Sequence, residues 1–146
     1  MTHAIRTTAV RLSVVAGAFA LAACASMNMM AMSGDGLKLS GANEVPAVTT
    51  GASGTGTITV GSDRSVTGSV TVAGMTPTAG HIHQGAPGAN GPVIVPFTQS
   101  GNTFSAPADA KLTDAQYDAY KAGNLYVNVH SAANPGGEVR AQLKAK

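Results

Sequence analysis

Short runs of alternating residues, each closed by glycine, proline or asparagine, constrain this chain more than any other feature. Thr57-Ile58-Thr59-Val60 alternates polar and apolar, and so does Val66-Thr67-Gly68-Ser69-Val70-Thr71-Val72. Gly61-Ser62-Asp63-Arg64-Ser65 between them reads as a hairpin loop. Val93-Ile94-Val95 is a third apolar strand, and Leu125 to Val129 and Glu138 to Leu143 alternate again. Successive side chains of a strand point to opposite faces, so each alternating run has one face for a core and one for something else. The expected fold is all-β, an antiparallel β-sandwich or barrel (Greek-key-like) with one short helix. With no Trp and 4% aromatic residues, the core must be built mainly from Val, Ile, Leu and Ala.

The helix is marked by its ends. Thr113-Asp114-Ala115-Gln116 is a capping box, Leu112 and Tyr117 are placed to form a hydrophobic staple, and Gly123 supplies a stop. Tyr117 and Tyr120 fall on one helical face, which is expected to plug one end of the β-structure.

Strand phase also sorts the histidines. In Gly80-His81-Ile82-His83-Gln84, His81 and His83 share a face and Ile82 takes the other. In Leu125-Tyr126-Val127-Asn128-Val129-His130 the apolar trio opposes Tyr126, Asn128 and His130, and Glu138, Arg140 and Gln142 oppose Val139, Ala141 and Leu143. If the apolar faces share one core, the histidines lie on an outward face with Asn128, Glu138 and Arg140. Two imidazoles two residues apart on a strand are separated by roughly 7 Å along the chain and can lean toward one ion. His130 from a neighbouring strand would complete a three-nitrogen metal site suited to copper, or less well to zinc, with one position open. Glu138, Asn128 and Arg140 are the candidates for a fourth ligand or for supporting hydrogen bonds. The alternative is a hydrogen-bonded surface network in which the histidines brace loops and Glu138 pairs with Arg140.

Gly85-Ala86-Pro87-Gly88-Ala89-Asn90-Gly91-Pro92 follows the first histidine strand, and Ser131-Ala132-Ala133-Asn134-Pro135-Gly136-Gly137 follows the second. Neither loop leads into a helix with a Lys, so they do not read as phosphate cradles. They read as rigid turns that hold the histidine strands in register.

The N-terminus carries an address. Arg6 and Arg11 precede an apolar run, Leu12 to Ala20, and then Leu21-Ala22-Ala23-Cys24. A basic start, a short apolar core and a small-residue cleavage site describe a secretory signal, too short to span a bilayer. Leu-Ala-Ala-Cys resembles the lipobox of bacterial lipoproteins, which implies cleavage before Cys24 and lipid on its thiol. A plain signal with an incidental cysteine is the alternative. Residues 1–23 are thus expected to be a lipoprotein signal peptide, 24–36 a flexible tether and 37–146 the β-domain. The tether holds Met27, Met29, Met30 and Met32, either a spacer or soft ligands for Cu(I). Cys24 is the only cysteine, so no intramolecular disulfide forms. Removing the signal takes two of nine basic residues, leaving seven against seven acidic, a balance that argues against nucleic acid as a partner. The expected location is the cell envelope, lipid-anchored at the outer membrane facing the periplasm or at the cell surface. In a Gram-negative producer, Ala25 after the cysteine, rather than Asp, favours the outer membrane.

Three ordered motifs carry a family resemblance. Leu39-Ser40-Gly41-Ala42-Asn43-Glu44-Val45-Pro46, Gly80-His81-Ile82-His83-Gln84-Gly85-Ala86, and Leu125 to Ser131 with Asn134 to Arg140 resemble the CHRD (chordin-type) domain family. The likeness covers roughly residues 37–143, with Ala47 where the family usually has a second proline. It implies a β-rich extracellular domain and no established biochemical activity. Three functions follow from residues and resemblance together. One is a lipid-anchored envelope protein binding a transition metal, copper before zinc. Another is a metal-independent module holding an envelope protein or glycan. A third is a copper-dependent enzyme resembling superoxide dismutase, an analogy at the level of fold alone. No Ser/His/Asp set or paired carboxylates suggests hydrolysis.

Overall fold

The computed structural model describes residues 36–145 together with Met1. Residues 2–35, which hold most of the expected signal segment, Cys24 and the four methionines of the expected tether, lie outside the described residues. Nine strands form one antiparallel sheet: β1 (Leu37–Ser40), β2 (Ser53–Val60), β3 (Val66–Ala73), β4 (Pro77–Gln84), β5 (Val93–Pro96), β6 (Thr98–Ser100), β7 (Thr103–Ser105), β8 (Leu125–Ser131) and β9 (Val139–Gln142). Their order is β5-β4-β8-β9-β1-β2-β3-β7-β6. The first and last in that order are halves of a single extended segment. β5 pairs with β4 and β6 pairs with β7, and Phe97 between them donates its N–H to the Gly80 carbonyl at 3.0 Å. One chain segment changing partners at Phe97 therefore brings the sheet nearly to closure, as a barrel.

Register explains the inner and outer faces. Val127 faces Ile82 on β4 and Ala141 on β9, while Gly56 of β2 faces Leu37 and Val70, and Val70 faces Phe104. Directly paired residues share a face, so these apolar positions form one interior, and all but Leu37 and Gly56 are buried. Each fully buried Val, Leu, Ile or Phe contributes roughly 1.5–3 kcal/mol relative to exposure, and this layer is what holds the barrel. Gly80 is needed within it: a Cβ there would lie 2.8 Å from the Phe104 ring, so the ring occupies the space over β4 that any other residue would take.

The helix α1 (Asp114–Lys121) forms where the capping signals placed it. Thr113 Oγ1 accepts from the Gln116 N–H, and Gln116 Oε1 accepts from the Thr113 N–H. At the other end Gly123 adopts φ +75°, with Gly123 N–H donating to the Tyr120 carbonyl and Asn124 N–H to that of Ala119. That pair of bonds satisfies the last helical carbonyls. Tyr117 and Tyr120 pack partly buried against the core, as their shared face predicts.

One expectation is corrected. The face opposite the core on β4, β8 and β9 is not open to solvent: within Leu125–Ser131 only His130 escapes full burial, and His83, Asn128, Glu138 and Arg140 are all buried. The phase assignment stands, but loops cover the face it defines. Asn90 Nδ2 donates to the Val45 carbonyl at 2.6 Å, and Arg140 Nη2 to the Ala89 carbonyl at 2.9 Å, tying the 85–92 loop and the segment after β1 over the sheet.

Candidate metal centre

Pairing brings the three histidines together. Across β4 and β8, His81 faces Asn128, His83 faces Tyr126 and Ala79 faces His130, so the three imidazoles occupy adjacent positions on one face. One ring nitrogen from each lies within 4.8 Å of the others. His81 Nδ1 is 3.0 Å from His130 Nε2.

The loops set the protonation pattern. His83 Nδ1 is 2.9 Å from the Gly91 carbonyl, and His130 Nδ1 is 2.9 Å from the Pro135 carbonyl. A carbonyl only accepts, so in both rings Nδ1 carries the proton and Nε2 presents a lone pair. His83 Nε2 is buried without a partner among the described residues. Imidazoles that ligate metals commonly donate their other N–H to a carbonyl or carboxylate in this way. The two loops read from sequence as register-holding turns thus supply one carbonyl each to the site. Burial lowers all three imidazole pKa values below the ordinary 6.5, with neighbouring imidazoles adding to the effect on His81 and His83. The donors are therefore neutral at pH 7, the form that binds metal.

Donor spacing fits an ion. At metal–nitrogen distances of about 2.0–2.1 Å, tetrahedral ligand nitrogens lie about 3.4 Å apart. The observed separations, 3.0 Å between His81 Nδ1 and His130 Nε2 and no more than 4.8 Å across the trio, bracket that value.

The polar neighbours divide unexpectedly. Glu138, expected beside the imidazoles, instead accepts from Thr50 Oγ1 at 2.7 Å. Hydroxyl bonds from Ser131 and Thr50, with Asn134, hold its pKa low. It braces the 131–137 turn and does not pair with Arg140. Arg140 lies buried with its guanidinium carbon 3.4 Å from the Tyr126 ring centroid. It donates to Asn90, Ala89, Ala86 and Gln142. Tyr126 also stacks on His83, with centroids 4.8 Å apart and planes 7° from parallel. Asn128 lies buried near His83 and Glu44, and its Nδ2 donates to the Gly136 carbonyl at 3.5 Å.

Glu44 is the residue that strand phase could not find. It caps a 3₁₀ turn (Gly41–Asn43) outside any strand, yet its carboxyl is buried beside Asn128 and Arg140. Burial raises its pKa to about 7 against the opposing charge of Arg140. Glu44 Oε1, Asn128 Oδ1 and His83 Nε2 are buried atoms without hydrogen-bond partners, all in this one region. Buried polar groups normally find partners, so their concentration here marks a place arranged for something other than packing.

Fold and site together define a class: an antiparallel β-barrel domain whose outer face carries a loop-covered histidine trio. The chain belongs to the CHRD domain family, whose model matches residues 36–143. No curated protein and no solved structure gives a match.

Proposed function

We propose that this CHRD domain binds a transition metal, copper in preference to zinc, through His81, His83 and His130. The observation that carries this reading is the convergence of three ring nitrogens within 4.8 Å, two of them from rings whose Nδ1–H is held by a loop carbonyl. Divalent copper stands highest in affinity for a nitrogen donor set, ahead of zinc. Asn128 and Arg140 act behind the ligands, Asn128 from the buried space beside His83 and Arg140 by packing on Tyr126. Glu138 holds the turn that carries the Pro135 carbonyl.

The domain would work at a membrane surface. Lipid on Cys24 would anchor it at the cell envelope, at the outer membrane facing the periplasm or at the cell surface, with residues 24–36 as the tether. Met27, Met29, Met30 and Met32 would then be available to pass Cu(I) to the histidines. No nucleic acid enters this reading.

A second reading has its own observation. The 3.0 Å contact between His81 and His130 is a sound hydrogen bond without any ion. On that reading the trio is structural, and the domain holds an envelope protein or glycan instead.

Titration of the full chain carrying Cys24→Ser with Cu(I), Cu(II) and Zn(II) separates the two. The metal reading expects one equivalent bound tighter than about micromolar, weakened at least about a hundredfold in His83→Ala and His130→Ala. Binding weaker than micromolar, or binding indifferent to both substitutions, would leave the structural reading. Superoxide turnover by the copper-loaded chain would add an enzymatic role. Deleting residues 27–32 without changing Cu(I) affinity would make the tether a spacer.

A further inference from the structure

A second site lies around the start of β1, at the α1 end of the barrel. A cleft of about 920 Å³ opens there, within the range of small-molecule sites. Its walls have two chemistries, because β1 and β9 present opposite faces to its two parts. Toward the barrel interior the walls are apolar: Leu37, Ile58 and Val60 from the inner face of β1 and β2, and Tyr117 and Tyr120 from α1. These five are only partly buried, so they offer apolar surface to the cleft. The tyrosine rings are stacked, with centroids 6.2 Å apart.

Toward the outer face the same cleft is lined by Lys38, Arg140 and Gln142, with Lys121 and Lys144 at the rim. Lys121 is paired with Asp118 at 2.7 Å. Arg140 is 2% exposed, and its hydrogen bonds go to two carbonyls and two side-chain amides, all neutral. Among the described residues it forms no salt bridge, although Glu44, which also lines the cleft, lies close enough for its carboxyl to feel the Arg140 charge. A buried cation satisfied only by neutral acceptors is costly, and an anion alongside it restores the balance.

We propose that this cleft binds a single-chain amphiphile with an anionic head, a fatty carboxylate or a lysophospholipid phosphate. The acyl chain lies along Leu37, Ile58, Val60 and the tyrosines, and the head lies toward Lys38 and Arg140. The site is separate from the histidine trio, none of whose members lines it. Apolar contact gives the affinity, and the cations select the sign of the head.

The test is displacement of a fluorescent fatty acid from the full chain carrying Cys24→Ser, purified without detergent. Octanoate, dodecanoate, a dodecyl lysophosphatidate and dodecyltrimethylammonium serve as competitors. Saturable one-to-one binding is expected, with dodecanoate far tighter than octanoate, at roughly fourfold per methylene when fully buried. Dodecyltrimethylammonium should compete at least about tenfold less well than dodecanoate. The ratio of carboxylate to phosphate affinities tells which head is preferred. Ile58→Glu should abolish binding, and Lys38→Glu, at an exposed position that leaves the fold intact, should weaken it severalfold without changing zinc affinity. No saturable binding below about 100 μM, equal competition by the cationic amphiphile, or unchanged affinity in Lys38→Glu would overturn the proposal.

Discussion

His81 Nδ1 lies 3.0 Å from His130 Nε2, while His130 has committed its other ring nitrogen to the Pro135 carbonyl. His130 Nε2 is therefore the acceptor and His81 Nδ1 the donor when no ion is present. If the trio takes up a metal through these atoms, His81 must move its proton to Nε2, whereas His83 and His130 keep theirs on Nδ1. Nitrogen-15 spectra of the imidazoles during zinc titration check this. A tautomer change confined to His81 is expected, and a change at His130 instead would contradict the assignment of the carbonyl contacts.

The three imidazoles and Glu44 make opposing demands on pH. Each histidine has a folded pKa below its ordinary 6.5, chiefly through burial. In the unfolded chain they take protons first, so their contribution is intact above 6.5 and declines as pH falls below it. Glu44 runs the other way, since its folded pKa of about 7 exceeds the ordinary 4.5. Its contribution is full below 4.5 and is lost as pH rises through 7. Glu44→Gln, which resembles the protonated acid, should match the parent near pH 4.5. By pH 8 it should exceed the parent by an amount on the order of 3 kcal/mol or less. Urea unfolding at the two pH values measures the difference.

Adjacent glycines should respond oppositely to alanine. Gly137 has φ +129°, and a Cβ there would lie 2.5 Å from Asn128 Nδ2 and 2.6 Å from Glu44 Oε1. Both the backbone and the buried polar cluster must yield, so Gly137→Ala should destabilise by about 3 kcal/mol. Gly136 has nothing within 4 Å of its Cβ position, and Gly136→Ala should fall within about 0.5 kcal/mol of the parent. Equilibrium denaturation of both variants settles the contrast.

Tyr126 links the trio to the covering loop. Its hydroxyl accepts the Gly91 N–H at 3.2 Å while its ring stacks on His83, whose Nδ1–H goes to the Gly91 carbonyl. Tyr126→Phe keeps the stack and removes one hydrogen bond, which should cost about 1 kcal/mol. It should also raise amide exchange at Gly91 and weaken metal affinity less than His83→Ala does. Hydrogen exchange at residues 85–92 reports the first effect and metal titration the second.

Much of the architecture was legible in strand phase and turn chemistry. The hairpin of β2 and β3, the β8 and β9 pattern and both ends of α1 were read from alternation and capping residues, because those signals are local. β1, β6 and β7 carry no such signal. β6 and β7 are three residues long, too short for alternation to register, and β1 is four. The histidine trio was legible for the same local reason, since period two put His81 and His83 on one face and His130 opposite the apolar side of its own strand.

The sequence by itself determined which residues share a face, how the helix begins and ends, and which family the chain belongs to. Only the tertiary structure decided what lies over that face. Loops 85–92 and 131–137 fold back across it, turning an expected solvent-facing polar patch into a buried one. They deliver the Gly91 and Pro135 carbonyls to His83 and His130, and the segment after β1 brings Glu44 to Arg140, 96 positions later in the chain. Alternation reports only the direction of a side chain from its own strand. Burial and partnership on the outer face depend on loops far away in sequence, and no local period encodes them.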